Sequence, residues 1–416
     1  MRDMRNRDLS GAAGGRPKAA LAVAGALGLA LGAVLSTQAQ EVTGDTKLAG
    51  SQPVVADLDY REVDYVVSNW GLLIADWSST FKKEPALRGG KVIRGTLQLS
   101  IGTTNGMAFA WDRTAGKLYL DLNQNLDLTD DAAGVFSCGR SFNDNYQTFT
   151  NVRLPFKTAV GDRPMLADLN FYDYGRPSCN VAMRSFWQGK VTLQNAEWQV
   201  GLLANPLDQR ASLESGSLLL RPWADRNKVF SLYGGALEAV PFSRNLFVGN
   251  QAYQLRCTNG LQGGVITAQV LFTEQRPKLG ELKITGEYVQ RLTLEGGPYL
   301  VVFDRPGAAV KVPIGSYGQA KVCLQKGNAQ AYLDGRTQPA GGRVVVSENA
   351  SATLGLGGPL TNSVSVRRQG RKLALNYQLV GAGGPYQMVN QDRSHPPEFT
   401  VYQGDKKVGS GKFEFG

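Results

Sequence analysis

Apolar residues in this 416-residue chain recur at every second position over short windows, and glycine, proline, asparagine and aspartate separate the windows. The stretches KVIRGTLQLSIG and GMAFAWD alternate, and KLYLDLN sets Leu118, Leu120 and Leu122 on one face. GKVTLQNAEWQVGLL reads as strand, Gln-Asn-Ala turn, strand, and NLFVGNQAYQL has Gly249-Asn250 between two alternating runs. The series continues through ELKITGEYVQRLTLEGGPYLVVFDRPGAAVKVPIGSYGQAKVCLQ. It ends with VYQGDKKVGSGKFEFG, where Gly-Asp separates two strands. VRRQGRKL, Val366 to Leu373, puts Gln369-Gly370 at a hairpin tip. No 15-residue window sustains i, i+3, i+4 apolar spacing free of glycine or proline. REVDYVVSNWGLLIADW alone fits a helical turn as well as a strand.

Strands at this spacing predict an all-β fold. The expected order is a linker at 40–54, then a larger N-terminal antiparallel β domain over 55–242. Two small β-sandwich modules follow at 243–338 and 339–416, with a boundary in the glycine-rich Pro339–Gly342 passage. Composition agrees: 50 glycines and 31 tyrosines and phenylalanines favour strands joined by tight turns, and 42% hydrophobic content is enough for packed cores.

GGPYLVVFDRPGAAVKVPIGSYGQAKVCL resembles the transthyretin-like, carboxypeptidase-regulatory-like β-sandwich module, through the VPIGSY turn from Val312 to Tyr317 and the strands on either side. That resemblance implies a transthyretin-like or Ig-like sandwich for 243–338. The chain also resembles exported bacterial proteins that join an LYLDLNxNxDLTDD segment to such sandwiches, a likeness that brings no activity with it.

The first 39 residues read as a cleaved export signal, with an uncleaved N-terminal anchor as the alternative. Arg2, Arg5, Arg7, Arg16 and Lys18 precede the charge-free run Ala19–Leu35, and STQAQE supplies small residues at Thr37 and Ala39 for cleavage before Gln40. The expected location is secreted, periplasmic or cell-surface. Beyond residue 39 the charge is uneven. Residues 40–274 hold 22 basic and 23 acidic side chains, whereas 275–416 hold 18 and 10. In an exported protein, a basic C-terminal third points to anionic glycan or a cell-envelope polymer as partner ahead of nucleic acid. It also serves as a solvated charged surface. Within it Arg367, Arg368, Arg371 and Lys372 form a candidate anion-binding tip. In an oxidising compartment Cys138, Cys179, Cys257 and Cys323 are expected as disulfides, paired Cys138–Cys179 and Cys257–Cys323 so that each bridge stays in one half, with four free, buried thiols as the alternative.

The sharpest chemical signal is LDLNQNLDLTDD, Leu120 to Asp131. Taking Asp121 as position 1, oxygen-bearing residues fall on odd positions: Asp121, Asn123, Asn125, Asp127 and Thr129, with Asp130 and Asp131 to close a site. Ca²⁺ takes six to eight oxygens, and a chain coiled round an ion turns its odd positions inward. Two positions depart from an EF-hand: Leu126 stands where glycine is usual and Ala132 where a bidentate glutamate is usual. A half-exposed strand, or an Asx-rich turn without metal, gives much the same pattern.

Other chemistry is thin. The single histidine, His395, lies before two prolines and reads as a loop residue. The glycine-rich stretches are turns. The tryptophans Trp70, Trp77, Trp111, Trp187, Trp198 and Trp223 read as packing residues before sugar-stacking platforms. The favoured function is a non-enzymatic, calcium-stabilised structural or binding protein. Its rival is a glycan hydrolase using N-terminal-domain aspartates, which needs two carboxyls about 5–10 Å apart in a cleft.

Overall fold

The computed structural model describes residues 52–76, 81–87, 90–99, 106–139, 141–155, 157–158, 161–206, 212–228, 238–262, 265–333, 343–370, 372–389 and 396–413. The expected export signal, most of the expected linker, Trp77, the expected Pro339–Gly342 boundary, Arg371 and His395 lie outside them. The protein is all-β. Short 3₁₀ turns at Ala132–Gly134, Leu213–Ser215 and Trp223–Asp225 are the helical elements among the described residues.

Two large sheets carry the architecture. In the nine-stranded sheet, hydrogen bonds run from Val135–Ser137 through Lys117–Leu120, Met107–Asp112, Val92–Leu97, Ser68–Asp76, Pro177–Met183, Met165–Asp173 and Tyr146–Leu154 to Ser141–Asn143. Ser68–Asp76 belongs to the stretch that also fitted a helical turn. It is a strand because it is hydrogen-bonded on both sides, to Pro177–Met183 and to Val92–Leu97. The fifteen-stranded sheet runs from Ala239–Pro241 to Gly357–Gln369. Its two halves are spliced by the strand Val54–Glu62. Asp59 to Glu62 pair with Ser185–Leu193, and Val54 to Leu58 pair with Val265–Gln275. The crossing is tight: a Cβ on Gly189 would stand 1.9 Å from the Asp57 carbonyl oxygen.

The expected hairpins form. Gln194 and Asn195, at φ 51° and 63°, make the turn between Ser185–Leu193 and Ala196–Leu203, the doubly left-handed geometry that matches strand twist. Val54, placed in the linker by pattern, already pairs with Phe272.

Aromatic side chains from the nine-stranded sheet dominate the main core. Phe171 sits edge-on to Phe109 at 5.1 Å and to Phe149 at 5.9 Å. Trp111 is fully buried, so it shares no surface with the acidic loop. Its indole N–H donates to Gln147 Oε1 at 2.8 Å. Gln147 in turn donates to the Arg113 carbonyl at 2.7 Å, which satisfies a buried amide. Trp187 and Trp198 are buried as well. This core also takes Tyr253, Leu255, Val270 and Phe272, so it runs across residue 242. A second core gathers Leu292, Leu294, Val301, Val322, Leu333 and Tyr386. Beside it, the buried Tyr317 hydroxyl donates to the Pro313 carbonyl at 2.8 Å and fixes the VPIGSY turn.

The four cysteines are thiols, not disulfide halves, which corrects both expected bridges. Cys257 lies on Gln251–Gln262 and Cys323 on Gln319–Lys326, with three strands between them in the sheet. At about 4.8 Å per strand that is roughly 19 Å, far beyond the ~7 Å limit for a bridged Cα pair. Cys138 follows Val135–Ser137 and Cys179 sits in Pro177–Met183, with four strands between them in hydrogen-bonding order. Burial raises the Cys179, Cys257 and Cys323 thiols, Cys257 to about 12 and Cys323 to about 11, so these behave as small buried apolar groups.

A candidate cation loop on the nine-stranded sheet

The strand Lys117–Leu120 delivers the acidic segment. Leu118, Tyr119 and Leu120 are all buried, and the strand stops at Leu120 because the next residues bond to themselves. The half-exposed strand reading therefore fails beyond Leu120. Gln124 and Leu126 take left-handed backbone, φ 63° and 66°. Leu126 thus adopts the conformation that glycine supplies in a calcium loop, at a cost of roughly 1–2 kcal/mol.

Side-chain oxygens hold the turn from within. Asp121, 1% exposed, accepts the Asn125 N–H on Oδ1 at 3.1 Å and the Leu126 N–H on Oδ2 at 3.0 Å. Asn123 Oδ1 accepts from the Asn125 N–H at 3.0 Å, and Asn125 Oδ1 accepts from the Asp127 N–H at 2.7 Å. Asp127 Oδ1 accepts from both the N–H and the hydroxyl of Thr129. Asp131 Oδ2 reaches back to the Leu122 N–H at 3.0 Å. These are successive Asx turns, the local bonding that draws Asp and Asn out of strands. Asp130 closes the far side. Its two oxygens accept from Asn123 Nδ2 at 3.3 Å and Asn125 Nδ2 at 2.7 Å.

A small core anchors the loop to the sheet. Met107–Asp112 is buried on both faces. Phe109 and Trp111 face the main core, while Ala108 and Ala110 face a cluster with Phe81, Tyr119 and Leu128. Leu126 packs at its margin. The chain near Phe81 clamps the loop: the Lys82 N–H donates to the Leu126 carbonyl at 2.8 Å, and the Leu128 N–H donates to the Lys83 carbonyl at 3.1 Å. Glu84 ties that clamp to the sheet through a two-pronged pair with Arg94, at 2.7 and 2.6 Å. Gly134 seats the end of the loop, since a Cβ there would stand 2.3 Å from the Leu120 carbonyl oxygen.

Charge is unbalanced. Lys83 Nζ meets Asp127 Oδ2 at 2.9 Å. Asp121, Asp130 and Asp131 have no ion-pair partner among the described residues. The Thr129 bonds and Lys83 hold the Asp127 carboxyl down at about 2. Burial pushes Asp131 up, against two N–H donors and with help from the charges of Asp121 and Asp130. Pattern reading missed Lys83 and Glu84, because nothing in the sequence ties them to a loop some forty residues later.

No cluster of three or more His, Cys, Asp or Glu side chains among the described residues is arranged to hold a metal ion. The oxygen set here would have to draw on amides. Asp121, Asn123, Asn125 and Asp130 converge on one turn, with Asp127 and Asp131 on its flanks. All are hard oxygen-bearing side chains of the type calcium takes. In the arrangement seen, the Asn123 and Asn125 amides turn N–H groups toward Asp130.

The other candidates lie apart. Arg367, Arg368 and Lys372 are exposed at the end of the long hairpin Gly357–Gln369 and Lys372–Ala382. A cavity of about 340 Å³ is lined by Ser212, Glu214, Ser215, Phe242 and Arg244. Glu214, the one carboxylate among the described lining residues, is engaged by Arg244 at 2.9 Å and by the Cys257 N–H at 3.1 Å, so the described lining holds no glycosidase acid pair. Comparison with protein-family models, with curated proteins and with solved structures returned no match.

Proposed function

We propose that this is an exported structural or binding protein of the cell envelope or extracellular space, with Ca²⁺ stabilising the Asp121–Asp131 loop and no catalytic role. The observation that carries the reading is the concentration on one self-bonded turn of three carboxylates, Asp121, Asp130 and Asp131, that have no ion-pair partner among the described residues. Like charges this close repel unless something neutralises them. A cation would displace the two amide N–H groups from Asp130 and relieve that repulsion. Asp121, Asn123, Asn125 and Asp130 would hold it, with Asp127 and Asp131 close by.

The export-signal pattern of residues 1–39 and the transthyretin-like resemblance of Val312–Tyr317 support a secreted β-sandwich reading. The basic C-terminal third, with Arg367, Arg368 and Lys372 at the hairpin end and Arg371 beside Lys372 in sequence, supplies the contact for anionic glycan or envelope polymer. Calorimetric titration of the protein with calcium, before and after Asp130→Ala, tests the loop. Heat saturating at one site per chain and lost in the variant supports it, and equal, unsaturable heats refute it. Retention on an anionic polysaccharide column that Arg367→Ala with Arg368→Ala leaves unchanged would remove the hairpin from the polymer contact.

A further inference from the structure

The strand Gly357–Gln369 ends the fifteen-stranded sheet. Among the described residues its outer edge is covered only at the base, where Gly358 exchanges backbone hydrogen bonds with Glu287 at 2.9 and 3.0 Å. Beyond Pro359 no strand pairs with that edge among the described residues. From Thr361 to Gln369 the register with Lys372–Ala382 runs without a shift.

Parity tells which backbone groups are open. The turn between the paired Gln369 and Lys372 holds two residues, and a two-residue hairpin is closed by a pair that exchanges both hydrogen bonds. Odd-numbered residues from Thr361 to Gln369 therefore turn N–H and C=O inward. Asn362, Val364, Val366 and Arg368 turn theirs to solvent. Side chains at those even positions share a face with Leu373, Leu375 and Tyr377 across the hairpin. Tyr377 is covered by Phe413 at 5.3 Å, but Val364, Val366 and Leu373 are 45%, 62% and 51% exposed. The open edge and the open apolar face coincide. Long edges are usually blunted by a proline, an inward charge or a bulge, and nothing of that kind interrupts Thr361–Val366.

Charge selects the occupant. Residues 349–391 contain no Asp or Glu, while Arg367, Arg368, Arg371 and Lys372 lie among them. A second copy laid on this edge would bring the same cations to a strand with no acid to meet them. A polysaccharide would meet the cations and leave the backbone groups and valines unused. An extended acidic protein segment uses all three features.

We infer that the edge Asn362–Arg368 accepts an extended, acidic, alternately apolar segment of a partner protein as an added strand. This goes beyond the function proposed above. It concerns the side of the hairpin rather than its end, and does not depend on calcium.

The test is fluorescence anisotropy of the full protein with a labelled nine-residue peptide alternating valine and glutamate. Saturable binding is expected, with at least tenfold loss for a peptide carrying a central proline. Val364→Pro should cost at least tenfold as well, since it deletes an outward N–H and leaves the hairpin ladder intact. If that variant does not fold by circular dichroism, Val366→Lys, which charges the same edge, must show the loss. Peptide binding that neither variant changes overturns the inference. So does absence of peptide binding alongside polysaccharide binding insensitive to Val364→Pro, a result that leaves polymer contact at the hairpin end intact.

Discussion

Replacing Asp121 by alanine tests whether side-chain oxygens build the acidic loop. The carboxylate is 1% exposed and accepts two backbone N–H bonds, from Asn125 at 3.1 Å and Leu126 at 3.0 Å. A hydrogen bond to a charged acceptor contributes about 1.5–3 kcal/mol. Asn125 and Leu126 are only half-buried, so water takes up part of the loss and the lower value applies. Two bonds at about 1.5 kcal/mol give about 3 kcal/mol. At about 2 °C per kcal/mol for a large unit, the unfolding midpoint should fall by about 6 °C. The assay is thermal unfolding in chelator, so that only internal bonds count, with amide hydrogen exchange read at Asn125 and Leu126. Asp121→Asn keeps one acceptor and should lose about half as much. A midpoint within 1 °C of the parent, with exchange at those amides unchanged, would show that the turn is set elsewhere.

Three further outcomes follow from the same geometry. Gly134→Ala should destabilise by about 1–3 kcal/mol in urea unfolding, because its Cβ would press on the Leu120 carbonyl. Asp127, held at about 2 against roughly 3.9 in an unfolded chain, lends stability that is full above about pH 4 and disappears as pH falls through 2. Asp131, raised by burial, works the other way and loses its contribution as pH rises through its folded value. Urea midpoints between pH 2 and 6 should therefore flatten in Asp127→Asn and steepen in Asp131→Asn. Thiol titration of the unfolded, unreduced protein should count four free thiols per chain, and a count of zero would restore the disulfide reading.

Much of the fold was legible because strand pairing leaves a local trace. Alternation marked Met107–Asp112 and Lys117–Leu120, and Gln194-Asn195 and Gly249-Asn250 marked the turns of two other hairpins. Odd-placed oxygens from Asp121 to Thr129 marked a self-bonding loop, because an Asx side chain reaches only two or so residues onward. What stayed hidden is non-local. Nothing in Val54–Glu62 says that it splices two halves of one sheet, and cysteine spacing says nothing of the strands between Cys257 and Cys323. Lys83 and Glu84 join the loop only through sheet order. Leu126 was read as a departure from a calcium loop because its residue type disfavours left-handed backbone, yet its contact with the small Phe81 core helps hold it there.

The most direct measurement is the unfolding midpoint of the protein in 1 mM calcium against chelator, for the parent and for Asp130→Ala. With Kd near ~10⁻⁴ M, as for extracellular sites, binding adds about 1.4 kcal/mol, or about 3 °C. A rise of that size in the parent and none in Asp130→Ala is the expected result. Identical midpoints with and without calcium in the parent would contradict the cation loop.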